Sequence, residues 1–190
     1  MPAVPITIRT ASLEDAPLLA DLGARTFADT FAADNTAEDM ADYLARSFGV
    51  DIQARELSDD AALVFIAEVA GVAAGYARLR FGATLDCIPG ARPVEIHRIY
   101  ADAPWIGKGV GAALMQACLA EATRCECDTI WLDVWERNPR AIAFYARWGF
   151  EVVGAQEFVL GDDVQHDLVM ARGAAGGSTD APPPLEHPDR

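Results

Sequence analysis

The sequence predicts an α/β (α+β) fold, a mixed and mostly antiparallel central sheet of about seven strands sandwiched by helices. Three observations predict it. Stretches of two-residue apolar alternation and stretches of helical spacing follow one another as strand, two or three helices, three strands, helix, strand, helix, two strands. One strand, around Val94–Ala101, runs through a glycine-rich turn directly into a helix. And 190 residues, 52% of them apolar and 23% charged, can bury one core but scarcely two. A single domain over residues 1–172 is expected, followed by a disordered tail over 173–190, where Gly, Ala, Ser, Pro and charge dominate.

Taken in order, Val4 to Thr10 alternates and reads as the first strand. Ser12 to Asp15 resembles a capping box, and Leu18, Leu19, Leu22, Thr26 and Phe27 follow at helical spacing. Thr36 can cap a second helix, reaching about Phe48, and a short helical piece covers Asp51 to Leu57. Ala62–Val69 and Val72–Arg80 are apolar runs around Ala70-Gly71, the pattern of an antiparallel hairpin. Cys87 to Pro93 is a loop delivering the chain to the central strand. There Val94, Ile96, Arg98 and Tyr100 alternate against Glu95, His97, Ile99 and Ala101. Ala112 to Arg124 is helical, and Thr129 to Val134 is a buried strand. Asn138 caps the next helix with Pro139 at its first position, and Gly149 closes it. Phe150–Phe158 and Gln165–Ala171 form a last strand pair around Gly161-Asp162-Asp163.

Composition excludes several function classes. No run of eighteen apolar residues exists and the first thirty residues lack a signal-peptide pattern, so a cytoplasmic location without a membrane partner is expected. The net charge of −14 repels nucleic acid and favours small cationic partners. Twelve acids against Arg25, Arg46 and Arg55 between Ser12 and Asp60 read either as part of that preference or as a solvated helical face. Cys87, Cys118, Cys125 and Cys127 have no C-x-x-C pairing and no neighbouring pair of histidines, so reduced thiols and no metal site are expected. A monomer and a homodimer are both compatible with the sequence.

The glycine-rich turn carries the chemistry. Gly107, Gly109 and Gly111 alternate with Lys108 and Val110 at the mouth of a helix, where backbone N–H groups can converge on an anion. The spacing is neither a dinucleotide fingerprint nor a Walker loop. Residues 106–111 instead resemble the acyl-CoA pyrophosphate loop, Q/R-x-x-G-x-G/A, of the GNAT acetyltransferases. Ile106 stands where that family has Gln or Arg, and Lys108, the only lysine in the chain, is the candidate replacement. Residues 131–150, WLDVWERNPRAIAFYARWGF, resemble the second half of the same signature at every named position. The resemblance covers about residues 4–171 and implies the GNAT fold. A narrower likeness, through Thr26–Phe31, Tyr43-Leu44, Glu95-Ile96, Arg98–Tyr100, Val134–Glu136, Gln165 and Asp167, is to the PaiA-type spermidine/spermine N-acetyltransferases.

That resemblance implies acetyl-CoA as acetyl donor and a small cationic amine, such as a polyamine, as acceptor. An alkylammonium has a pKa of about 10, so the site must remove a proton before the nitrogen can attack. Glu95 and His97 are the base candidates, each with the alternative of a structural residue on a sheet face. The family likeness assigns the general-acid position to Tyr145, which also falls on a helical stripe with Ala141, Phe144 and Trp148 suited to a core role. It places backbone groups of Ile99, Tyr100 and Ala101 along the pantetheine arm, where they could also stabilise an oxyanion. It places Gly107, Lys108, Gly109, Val110 and Gly111 at the diphosphate. Asn138 and Arg147 are further cofactor-binding candidates, with a surface salt bridge the alternative for Arg147. A peptide-modifying acetyltransferase and a non-catalytic acyl-CoA-binding regulator remain open alternatives.

Overall fold

The structure, a computed structural model, describes residues 5–160 and 163–174. Among the described residues, five α-helices and seven strands follow one another: β1 (Ile6–Thr10), α1 (Ala16–Phe31), α2 (Ala37–Ser47), α3 (Val50–Leu57), β2 (Ala62–Val69), β3 (Val72–Phe81), β4 (Pro93–Ala101), α4 (Val110–Arg124), β5 (Thr129–Trp135), α5 (Pro139–Arg147), β6 (Glu151–Leu160) and β7 (Asp163–Gly173). The strands form one sheet in the order β1-β2-β3-β4-β5-β7-β6. Its neighbours are antiparallel except for β4 and β5, which run parallel. A two-residue turn, Ala70 and Gly71, both at positive φ, makes the expected hairpin of β2 and β3.

Apolar residues from both sheet faces hold the layers. One face packs under α4 and α5 through Val94, Ile96, Leu114, Met115, Leu119, Ile130, Leu132 and Trp148. The other meets α1 and α2 through Leu19, Leu22, Ile66 and Tyr76, with Phe27, Met40 and Phe48 beyond.

Two features of β4 position the site. Parallel pairing with β5 covers only Pro93↔Thr129, Val94↔Ile130 and Glu95↔Trp131, after which the strands part. A register shift against β3 then falls between Arg78, opposite Arg98, and Leu79, opposite Ile96, leaving His97 as the extra residue of a bulge. The bulge corrects the expected alternation. Ile99 and Ala101 join Val94 and Ile96 on the α4 side, whereas Tyr100 packs with the α1 layer.

Other boundaries moved for local reasons. The helix after the glycine turn begins at Val110, so Gly111 is helical rather than part of the turn. β7 runs on through Gly173, which pairs with Thr129, and the Ala174 amide donates to the Asp128 carbonyl at 3.0 Å. Those two residues belong to the fold, and the remainder of the expected tail, residues 175–190, lies outside the described residues, as do Val4, Gly161 and Asp162.

Candidate active site

Where β4 and β5 part, a cleft of about 1260 Å³ opens. Its walls come from β4, the glycine turn, α5, β5, α1, α2 and the β6–β7 pair.

At one end stands the glycine turn. Gly107 and Gly109 have φ of +75° and +94°, a conformation that L side chains strain to adopt, and a Cβ on Gly107 would meet nothing within 4 Å. Open space beside a left-handed turn is what close approach by a ligand's phosphates needs. Gly111 is different, since a Cβ there would make ordinary contact with Phe144 at 3.7 Å. The turn's donors are also unequal. The Lys108 amide donates to the Trp105 carbonyl at 3.1 Å, so the outward-facing amides are those at the start of α4, around Gly109 and Gly111. The Lys108 ammonium lies 5.3 Å from the centroid of the Trp105 ring, and neither Lys108 nor the fully buried Val110 lines the cleft. The Lys108 ammonium thus rests by Trp105 and not among the groups that line the cleft. Arg140 and Arg147 on α5 do line the cleft, both exposed and without an ion pair among the described residues. Arg140 was not singled out by the sequence; its place in the first turn of a capped helix whose far end carries Arg147 was the available signal.

The parted edge of β4 supplies further donors. The Asp102 amide donates to the Ala74 carbonyl of β3 at 2.9 Å. By strand alternation the Tyr100 amide turns the same way, and those of Ile99 and Ala101 face the gap towards β5. Asn138 lines the cleft too, but its Oδ1 accepts from the Ala141 amide at 3.1 Å as the cap of α5, leaving its Nδ2 for a ligand. Tyr145, about two turns on, is buried yet lines the cleft, and its hydroxyl makes no hydrogen bond among the described residues. Burial, with Asp133 as a lesser cause, pushes its pKa above the ordinary tyrosine value, so the phenol keeps its proton.

The two expected bases fare differently from their sequence reading. Glu95 is buried but absent from the cleft lining. Its Oε2 lies 3.3 Å from Arg80 Nε without hydrogen-bond geometry, and burial raises its pKa to about 6 against the pull of that arginine. His97 lines the cleft, but its Nδ1 lies 3.0 Å from Arg78 Nη1. A guanidinium can only donate, so Nδ1 is the acceptor and the ring proton sits on Nε2. Burial and then Arg98, Arg78 and Arg80 lower its pKa to about 2. A ring so placed is a neutral donor rather than a base. Arg78 and Arg98 are themselves held by Glu56, at 3.3 and 2.6 Å.

Sequence reasoning missed the carboxyls that do face the cleft, Asp133 on β5 and Asp167 on β7. Asp133 interrupts an otherwise apolar strand, and an acid at such a position was the signal to read; Asp167 follows Gln165 and His166 in a polar run that marks nothing. Around them stand the rings of Phe27, Phe31, Tyr43, Trp135 and Phe158. Phe27 stacks on Tyr43 at 4.4 Å and Phe31 approaches Trp135 at 5.7 Å. The acids of residues 12–60 are not among the lining residues; most are exposed, Asp15 pairs with Arg9 and Asp42 with Arg46, and Glu56 turns inward to Arg78 and Arg98.

A strand that parts from its parallel neighbour, a glycine turn at a helix mouth and a buried phenol between them define the class of acyl-CoA-dependent acyl transferases. The comparisons with known proteins agree. The acetyltransferase (GNAT) family model matches residues 24–150, and the chain belongs to that family as an acetyl-CoA-dependent N-acetyltransferase. An uncharacterized N-acetyltransferase of Lactobacillus delbrueckii subsp. lactis is 31% identical over 167 residues, 88% of this chain and 96% of that one. An uncharacterized N-acetyltransferase of Mycobacterium tuberculosis is 32% identical over 160 residues, 84% of this chain and 98% of its own. The spermine/spermidine N(1)-acetyltransferase of Bacillus subtilis is 33% identical over 66 residues only, 34% of this chain and 43% of that protein. Among solved structures, the PaiA N-acetyltransferase of Thermoplasma acidophilum, in complex with coenzyme A, superposes with a TM-score of 0.72 at 19% identity, covering 89% of this chain and 99% of that one.

Proposed function

We propose that this N-acetyltransferase acts in the cytoplasm on a primary amine of a polyamine, spermidine or spermine, or of a similar small cationic amine, by direct attack of the nitrogen on the thioester. The observation that carries this reading is the lining of the cleft. Asp133 and Asp167 stand in it among the rings of Phe27, Phe31, Tyr43, Trp135 and Phe158, and Arg140, Arg147 and the start of α4 line it too. Carboxylates and ring faces together suit an alkylammonium, which aromatic quadrupoles attract by about 0.5–2 kcal/mol each when desolvated. The partial match to the Bacillus subtilis enzyme supports the same substrate class.

Acetyl-CoA, when bound, supplies an acetyl group activated as a thioester. Amides at Gly109 and Gly111, with Arg140 and Arg147, fit its phosphates, and the Ile99 and Ala101 amides hold the arm and stabilise charge on the thioester oxygen. Tyr145 keeps a proton in place for the leaving sulfur. Burial of Leu132, Val134 and Trp148 beside the cleft limits water.

The test is an acceptor panel of polyamines, monoamines, amino acids, aminoglycosides and peptides, read by release of CoA thiol. Turnover concentrated on polyamines or other small cationic amines is expected. Turnover confined to peptide α-amines would overturn the substrate class while leaving acetyl transfer in place.

A further inference from the structure

We propose that Asp133 and Asp167 act as one unit that receives the acceptor's ammonium group and takes the proton its nitrogen must lose before attack. The inference rests on the amine reading above and names the residues that perform its first step. β5 and β7 pair with Asp133 opposite Val169 and Trp135 opposite Asp167, so the two acids are diagonal neighbours on one face of the sheet. Their side chains come within hydrogen-bonding reach of each other. Gln156 of β6 donates its Nε2 to Asp133 Oδ2 at 3.0 Å and fixes that carboxyl. Asp167 is only 7% exposed, its Oδ1 has no hydrogen-bond partner among the described residues, and it lines the cleft.

The pair differs from the other buried ionisable groups in having no cation. Glu95 faces Arg80, Glu56 holds Arg78 and Arg98, and His97 already accepts from Arg78. Neither Asp133 nor Asp167 makes an ion pair among the described residues, and two buried carboxylates in contact are costly unless a proton or a cation joins them. The groups acting on them are Glu95 of β4, Arg80 of β3, Tyr43 of α2, Tyr145 of α5 and Glu136 after β5. Burial first, then Asp133 and Glu136, leave Asp167 titrating at about 6, and burial raises Asp133 as well. Above that pH Asp167 is ionised, and the negative charge of the pair attracts an ammonium strongly.

The proton transfer balances simply. One N–H bond of the ammonium breaks, its electron pair stays on nitrogen as the lone pair that attacks, and the proton passes to a carboxylate oxygen. It is then shared between the two carboxyls, whose joint charge falls by one, until it leaves to solvent after the product departs.

The experiment uses the whole chain with Asp133→Asn and Asp167→Asn made singly. Each variant is assayed with a diamine that is cationic at neutral pH and with a hydrazine that is already neutral. Diamine binding without donor, coenzyme A binding and thermal unfolding are measured alongside. Expected is a fall of about 100-fold or more in kcat/KM for the diamine, a much smaller fall for the hydrazine, and weaker diamine binding with coenzyme A affinity intact. Diamine turnover near wild type, or equal losses for both acceptors, overturns the proposal. Should a variant not fold, the wild type decides alone: kcat/KM for the diamine must rise with pH through about 6, and a flat profile there overturns it. A wild type that acetylates the hydrazine but no cationic amine overturns the amine reading itself, a different result from active enzyme with insensitive variants.

Discussion

Replacing Tyr145 by Phe isolates the phenol's proton from everything else the residue does. The ring is 8% exposed and packs edge-on against Phe144 and Phe150, with centroids 5.5 and 6.1 Å away, contacts that Phe keeps. Its hydroxyl has no hydrogen-bond partner among the described residues, so the change leaves no buried group orphaned, and stability should move by no more than about 0.5 kcal/mol. The chemical step should respond far more. A positioned general acid typically contributes 10²–10⁴-fold, and a leaving thiolate, with a parent pKa of about 8.5, needs less help than an amine would. The lower figure is therefore expected, roughly 10²-fold in kcat, which corresponds to about 2.7 kcal/mol of barrier. The assay is steady-state release of CoA thiol with the best acceptor, together with calorimetric coenzyme A affinity and thermal unfolding. A fall in kcat with unchanged affinity and melting temperature fits the assignment. Turnover within threefold of wild type would make Tyr145 a core residue with an idle hydroxyl and remove it from the mechanism.

Gly109→Ala should loosen the donor site through backbone strain alone. Its φ is +94° and the added Cβ would meet only Ile6 Cδ1 at 3.4 Å, so about 1–2 kcal/mol of conformational cost is expected, read as weaker coenzyme A binding by calorimetry. The double substitution Arg140→Ala with Arg147→Ala should weaken coenzyme A about tenfold in dilute buffer and much less at high salt, because exposed charges are screened; an equal loss at both salt concentrations would point to a role in packing instead. Asp167→Asn should stabilise the fold at alkaline pH. Its folded pKa of about 6 exceeds the ordinary 3.8, so its contribution to stability is full below about 3.8 and is lost as pH rises through 6. Denaturant titrations at pH 4 and pH 8 should show the variant gaining on the wild type only at the higher pH.

The parts of the fold that were legible in sequence are those set by local backbone chemistry. Thr36 accepts from the Asp39 amide, Asn138 caps α5 with Pro139 behind it, Gly149 ends it at φ +82°, and Ala70-Gly71 turns the hairpin. What was not legible depends on which strand lies beside which. Glu95 and His97 look like bases on their own strand, but the residues that commit them, Arg80 and Arg78, come from β3. Lys108 looks like a phosphate ligand, but its ammonium lies 5.3 Å from the ring of Trp105, three residues earlier, outside the cleft lining. Asp133 and Asp167 lie far apart in the chain, and only the insertion of β7 between β5 and β6 sets them side by side. Even the alternation of β4 misleads, because a bulge adds one residue that no composition rule marks.

That bulge ties the halves of the site together. If His97 were paired rather than extra, strict alternation would put Arg98 and Tyr100 on the α4 side with Ile96, and Ile99 and Ala101 against α1. Two large polar side chains would then enter an apolar core, and the tyrosine pair Tyr76–Tyr100, 5.8 Å apart, would be lost. With the extra residue, Val94, Ile96, Ile99 and Ala101 all pack towards α4 while Arg98 reaches Glu56 on α3. The same shift lies just past the last β4–β5 pair, Glu95 with Trp131, where the strand must turn away from its neighbour. Parting there leaves amides of Ile99 and Ala101 open on one side of the gap and Asp133 on the other. The groups suited to the thioester and to the amine therefore face each other because one residue too many for the ladder sits at position 97.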